Sequence, residues 1–131
     1  MEKHTFQPGD KAFLAVDAPG GRYSAFFEDD GETGYFYAVD LSRPNDAILD
    51  AVHIYNVANV VDKDRPSALA IVWSEDGFKC VLLINDYAHA AFDFAAERGF
   101  CRNNFPNFPN RIEGCWPQCD HSWSDDAIAW L

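Results

Sequence analysis

Basic residues are scarce in this sequence. Ten Lys and Arg stand against 21 Asp and Glu, a formal net charge of −11. Such a surface repels phosphate backbones and anionic lipid headgroups, so neither nucleic acid nor a membrane is an expected partner. A protein with a basic surface is the partner this charge favours. Long apolar runs are missing too. Stretches such as ALAIVW, Ala68 to Trp73, are far too short to cross a bilayer, and the opening MEKHTFQPGD lacks the apolar core of a secretory leader. A cytoplasmic location is therefore expected, with the thiols reduced. Regular cysteine spacing is missing as well: Cys80, Cys101, Cys115 and Cys119 follow no pattern, which argues against a disulfide scaffold. No Gly-x-Ser-x-Gly elbow frames a nucleophile, and no glycine-rich loop opens a helix to cradle phosphate.

What is present is core material. Hydrophobic residues make up 48% of the 131 residues and aromatics 15%, enough to fold one domain without staples. Residues 1–131 read as that single domain, with 1–9 as a flexible tail. Short runs rich in aromatic and β-branched residues alternate with turn signals: KAFLAVD, RYSAFFE and YFYAVD, then SALAIVWS, KCVLLIN and HAAFDFA. Asp-Gly marks the turn in the middle of each group. The expected fold is α+β, mostly β: antiparallel meander sheets of about six to seven strands. A short middle helix is predicted over about Asp46 to Val52, where Ile48, Ala51, Val52 and Tyr55 fall at helical spacing behind Pro44. A short C-terminal helix is predicted from the Ser122/Asp125 capping pattern, with Ser124 as a second cap, packing Trp123, Ile128 and Trp130 or Leu131 onto the sheet.

The segments FFEDDGETGYFYAVD, ILDAVHIYNV, LLINDYAHAAFDF and GFCRNNFP resemble a family of small bacterial proteins catalogued only as a domain of unknown function. The resemblance runs from about Tyr23 to Trp123. It implies a small soluble bacterial protein and assigns no activity and no catalytic residue.

Three groups of residues could carry function. Asp29, Asp30 and Glu32 crowd one hairpin turn and offer oxygen ligands or charge for a partner, though the EF-hand order is absent. Tyr87, His89 and Arg102 flank strand ends, where a cleft could take a small ligand or a partner's tail. Cys101, Cys115, Cys119 and His121 supply the atoms of a zinc site, but their spacing matches no standard knuckle. No cofactor is expected, zinc being the one alternative. The favoured function is a non-enzymatic binding or regulatory domain of immunity or inhibitor type. The alternative is a small metal-binding protein or enzyme using the Cys/His segment or the acidic turn. Open strand edges also allow a homodimer.

Overall fold

Two antiparallel sheets face each other across a shared core in the computed structural model, which describes residues 2–45, 47–61, 64–103, 116 and 121–131. Strands β1 (His4–Phe6), β2 (Phe13–Asp17), β3 (Tyr23–Asp29), β4 (Thr33–Asp40), β5 (Ile48–Asn56), β6 (Ser67–Trp73), β7 (Lys79–Ile84), β8 (Tyr87–Asp93) and β9 (Arg98–Cys101) follow in chain order. The first sheet is the meander β2-β3-β4-β5. The second is the meander β6-β7-β8-β9, extended by β1 on the outer side of β6. Within the segment read as a tail, His4–Phe6 thus lies in a sheet, and Phe6 is buried.

Alternation drives this architecture. On β3 and β4, Ala25, Phe27, Phe36 and Ala38 point inward and are fully buried. They meet Leu69, Ile71, Leu82, Ala90 and Phe92 of the other sheet. Phe36 and Phe92 stack across the gap with ring centroids 4.7 Å apart. The indole N–H of Trp73 ties the sheets together by donating to the Val16 carbonyl at 2.9 Å.

The turns follow from local chemistry. Gly31 and Gly77 sit at φ +99° and +77° in the two Asp-Gly hairpins, a region glycine enters without steric cost. The β7–β8 connection is a two-residue turn in which Asn85 and Asp86 both take positive φ, the geometry that matches strand twist.

The predicted α component is corrected to none: among the described residues there is no α-helix, and nine strands replace the expected six to seven. Ile48–Asn56 is a strand of nine residues paired with β4. Two register shifts, at Gly34/Tyr35 and Ala38/Val39, break the strict alternation of that pair. The extra residues are Leu49 and Ile54 of β5, so Leu49, Val52, Ile54 and Tyr55 all pack into the core between the sheets, a spacing that imitates a helix in the sequence. At the C-terminal end the helix is replaced by a 3-10 turn, Asp125–Ile128, capped by Ser124. Its bonds run from Ala127 N–H to the Ser124 carbonyl and from Ala129 N–H to the Asp126 carbonyl. The Trp130 indole N–H takes the Ala127 carbonyl, which an α-helix would have used for the backbone four residues on. The turn still covers apolar surface: Trp123, Ala127, Ile128 and Trp130 pack over Val81, Leu83, Ala91 and Phe100 on the outer face of the second sheet.

Candidate functional site

The acidic turn is spent on structure. Asp29 is 1% exposed, and its carboxylate accepts from Gly9 N–H (2.7 Å), Gly31 N–H (2.8 Å) and the Tyr55 hydroxyl (2.6 Å). It therefore binds the loop after β1, its own hairpin and β5 at one point. Gly34 makes this reach feasible: a Cβ there would stand 2.6 Å from the Tyr55 ring. Burial and the neighbouring carboxylate keep the Tyr55 phenol protonated well above its ordinary range. Asp30 accepts from Glu32 N–H and Thr33 N–H, which hold its carboxyl below the usual carboxylate range. Of the three predicted residues, only Glu32 leaves its carboxylate exposed and without a bond among the described residues.

The Cys/His group divides. Cys115 and Cys119 lie outside the described residues. Cys101 is buried, its thiol donates to the His53 carbonyl at 3.6 Å, and burial raises its pKa. The His121 imidazole sits 2.9 Å from the Asp50 carboxylate in a largely buried pair. Gly99 leaves room for it, since a Cβ there would come within 2.5 Å of Asp50 Oδ2. This pair, with the Cys101 N–H to His121 carbonyl bond, anchors the C-terminal segment to β5 and β9. Among the described residues no three His, Cys, Asp or Glu side chains converge as a metal site.

The third group does come together. The Arg102 guanidinium lies 4.6 Å above the Tyr87 ring and 4.0 Å from the Trp123 ring, held between two aromatic faces. Its Nε donates to the Ala88 carbonyl, and its backbone N–H donates to the His89 carbonyl. The His89 ring meets Tyr87 edge-on at 5.1 Å. Trp123 is the member that sequence reasoning placed in a core-sealing element without linking it to Arg102.

His89 also lines an open cleft of about 390 Å³. The apolar part of its wall comes from Phe6, Ile54, Val60 and Ile84, the polar part from Asn56, Asn59, Asn85, Asn103 and Ser67. Some of these polar groups are committed. Asn85 accepts from Ala68 N–H, and Asn103 donates to the Ile54 carbonyl. Asn56, Asn59 and His89 are not: among the described residues no hydrogen bond engages their side chains, and Asn56 precedes the 3-10 turn Val57–Asn59 without capping it. A mouth combining apolar surface with unengaged amides and an imidazole is what a recognition pocket requires. A second depression, bounded by Arg22, Tyr23, Asp40, Phe94 and Trp116, differs in that Arg22 already pairs with Asp40 at 3.6 Å and Ser42 bonds the same carboxylate.

The pH response of His89 follows from its surroundings. Burial, and then the Arg102 guanidinium, disfavour the imidazolium, so its folded pKa lies below the ordinary 6.5. Above pH 6.5 the ring is neutral in both states and full stability is present. As pH falls below 6.5, the unfolded chain takes up a proton that the folded chain refuses, and stability drops until the folded pKa is reached. Urea midpoints measured from pH 7.5 to 5 should therefore fall for the native chain and fall less for His89→Gln. Parallel curves would show that His89 does not titrate against folding.

The bacterial family model described as "Uncharacterized protein conserved in bacteria (DUF2251)" matches residues 6–131. An uncharacterised protein of Haemophilus influenzae is 45% identical over 104 residues. That match covers 74% of this chain and 65% of the relative, so the chain spans just under two thirds of the relative's length. No solved structure matches. No helix among the described residues is long and apolar enough to cross a membrane.

Proposed function

This chain belongs to the bacterial DUF2251 family, and we propose that it acts as a non-enzymatic binding domain whose cleft beside His89 takes a segment of a protein partner with a basic surface. The observation that carries the reading is the set of three unengaged polar side chains, Asn56, Asn59 and His89, that line one cleft with Phe6, Ile54, Val60 and Ile84. Carboxamides both donate and accept, as a peptide main chain does, and the apolar wall suits a single partner side chain. The formal charge of −11 draws a basic partner in and sets orientation more than affinity. An immunity or inhibitor role is one form of this reading.

Catalysis has less support. Burial raises the pKa of both Cys80 and Cys101, which keeps them as inert thiols. Asp29 and Asp30 spend their carboxylates on backbone donors. The test is affinity capture from the source bacterium with the full chain, beside an Asn56→Ala/His89→Ala double variant. The expected result is one basic protein retained by the native chain, lost from the double variant and weakened by salt. No retained protein, or equal retention by the double variant, would overturn the proposal.

A further inference from the structure

We propose that the free edge of β2 is a homodimer interface, in which two copies pair antiparallel about a two-fold axis at Leu14. This proposal rests on a different element from the cleft and stands or falls separately.

The other edges are short or already engaged. β1 has three residues and β9 has four. On β5, the carbonyls of Leu49, His53 and Ile54 accept from Trp116 N–H, the Cys101 thiol and the Asn103 amide. β2 is different. Ala12 and Ala18 bond to β3 through Asp29 N–H and the Tyr23 carbonyl, both at 2.8 Å. Alternate residues of an antiparallel strand face the same neighbour, so Leu14 and Val16 also turn their backbone groups to β3. Phe13, Ala15 and Asp17 turn theirs outward, and no other described segment pairs with them. Edges left in solvent normally carry a proline, a bulge or an inward charge. β2 has none: its sequence is FLAVD, its register with β3 is unbroken, and Leu14 and Val16 face the core. Phe13 is 60% exposed, supported by Phe26 at 5.5 Å.

A second copy fits this edge because the edge is complementary to itself. Pairing about Leu14 sets Phe13 opposite the partner's Ala15, large against small. Lys11 stands just before the strand at φ +56° and brings a positive charge to the end of the edge where the partner's Asp17 lies. Pairing about Ala15 would set Phe13 against a carboxylate, and pairing about Phe13 would crowd the two phenylalanines and leave the charges unmatched. The Leu14 register also joins outward N–H and C=O groups of Phe13 and Ala15 in about four ladder bonds. Two-fold pairing consumes both edges, so assembly stops at two.

Sedimentation velocity at 0.15 M salt tests this, since repulsion between the acidic copies is then screened beyond about 8 Å. The native chain should sediment with twice its 14.7 kDa mass at high concentration. Ala15→Pro removes an outward N–H while sparing the β3 ladder, and should be monomeric. Lys11→Glu and Asp17→Lys should each raise the dimer Kd about tenfold, and the double variant should restore it. A native chain that stays at 14.7 kDa, species larger than a dimer, a dimer that survives Ala15→Pro, or single reversals without rescue would each overturn the proposal.

Discussion

Replacing Asp29 by Ala should lower stability by about 3–5 kcal/mol, because three buried or part-buried donors lose their acceptor at once. The side chain is 1% exposed and serves three donors, Gly9 N–H, Gly31 N–H and the Tyr55 hydroxyl. Its loss leaves all three without the acceptor they were buried against. Each unsatisfied donor costs about 1–3 kcal/mol, less whatever water can recover. Asp29→Asn should cost less, about 2 kcal/mol, because one oxygen remains while the new amide N–H₂ faces a donor. The effect is also spatial: residues 7–10 lose their tie to the β3–β4 hairpin, and Tyr55 loses its tie to β3. Urea unfolding measures this as a lower midpoint at unchanged slope. A loss under 1 kcal/mol for Asp29→Ala would mean that the carboxylate is not the staple described.

Phe92→Ala should cost a similar amount, about 3–5 kcal/mol, by a different mechanism. Phe92 is 1% exposed, stacks on Phe36 across the sheets, and meets Trp116 and Phe94 edge-on at 5.9 and 6.3 Å. Its removal opens a cavity between two sheets whose backbones are fixed by their ladders and cannot close it. Phe92→Leu should recover more than half of the loss. Phe13→Ala, by contrast, should change the stability of a single copy by no more than about 0.5 kcal/mol, because that ring is mostly in water. Calorimetric unfolding of the three variants side by side gives the ranking, and a Phe13 effect as large as that of Phe92 would contradict the assignment of inner and outer faces.

The strands were legible where alternation was clean. In RYSAFFE, Ala25 and Phe27 alternate onto the core face; KCVLLIN is instead an unbroken apolar run between turns, because Cys80 and Leu82 face the inter-sheet core while Val81 and Leu83 pack under the C-terminal turn. The middle segment misled for a physical reason. Two bulges on β5, where Leu49 and Ile54 are the extra residues, bring Leu49, Val52, Ile54 and Tyr55 to one core, a spacing closer to a helix than to a regular strand. The C-terminal turn misled because the Ser124 cap was real while Asp125 took the Trp123 indole and the Trp130 indole diverted a helix carbonyl. At the candidate site, Tyr87, His89 and Arg102 could be grouped from sequence because a meander returns its strand ends to one place. Asn56, Asn59 and Phe6 reach the same cleft from the other sheet and from β1, through pairings that no local pattern encodes. The Asp50–His121 pair, 71 residues apart in sequence, was hidden for the same reason.

The central claim, that the cleft beside His89 is the recognition site, is most directly tested by titrating ¹⁵N-labelled full chain with blocked basic tripeptides carrying one apolar side chain. Saturable shifts should appear at the amides of Asn56, Asn59, Asn85, His89 and Asn103, and should vanish in the Asn56→Ala/His89→Ala variant. Shifts confined to the hairpin around Asp30 or to the segment after His121, or no saturable shift with any peptide, would contradict it.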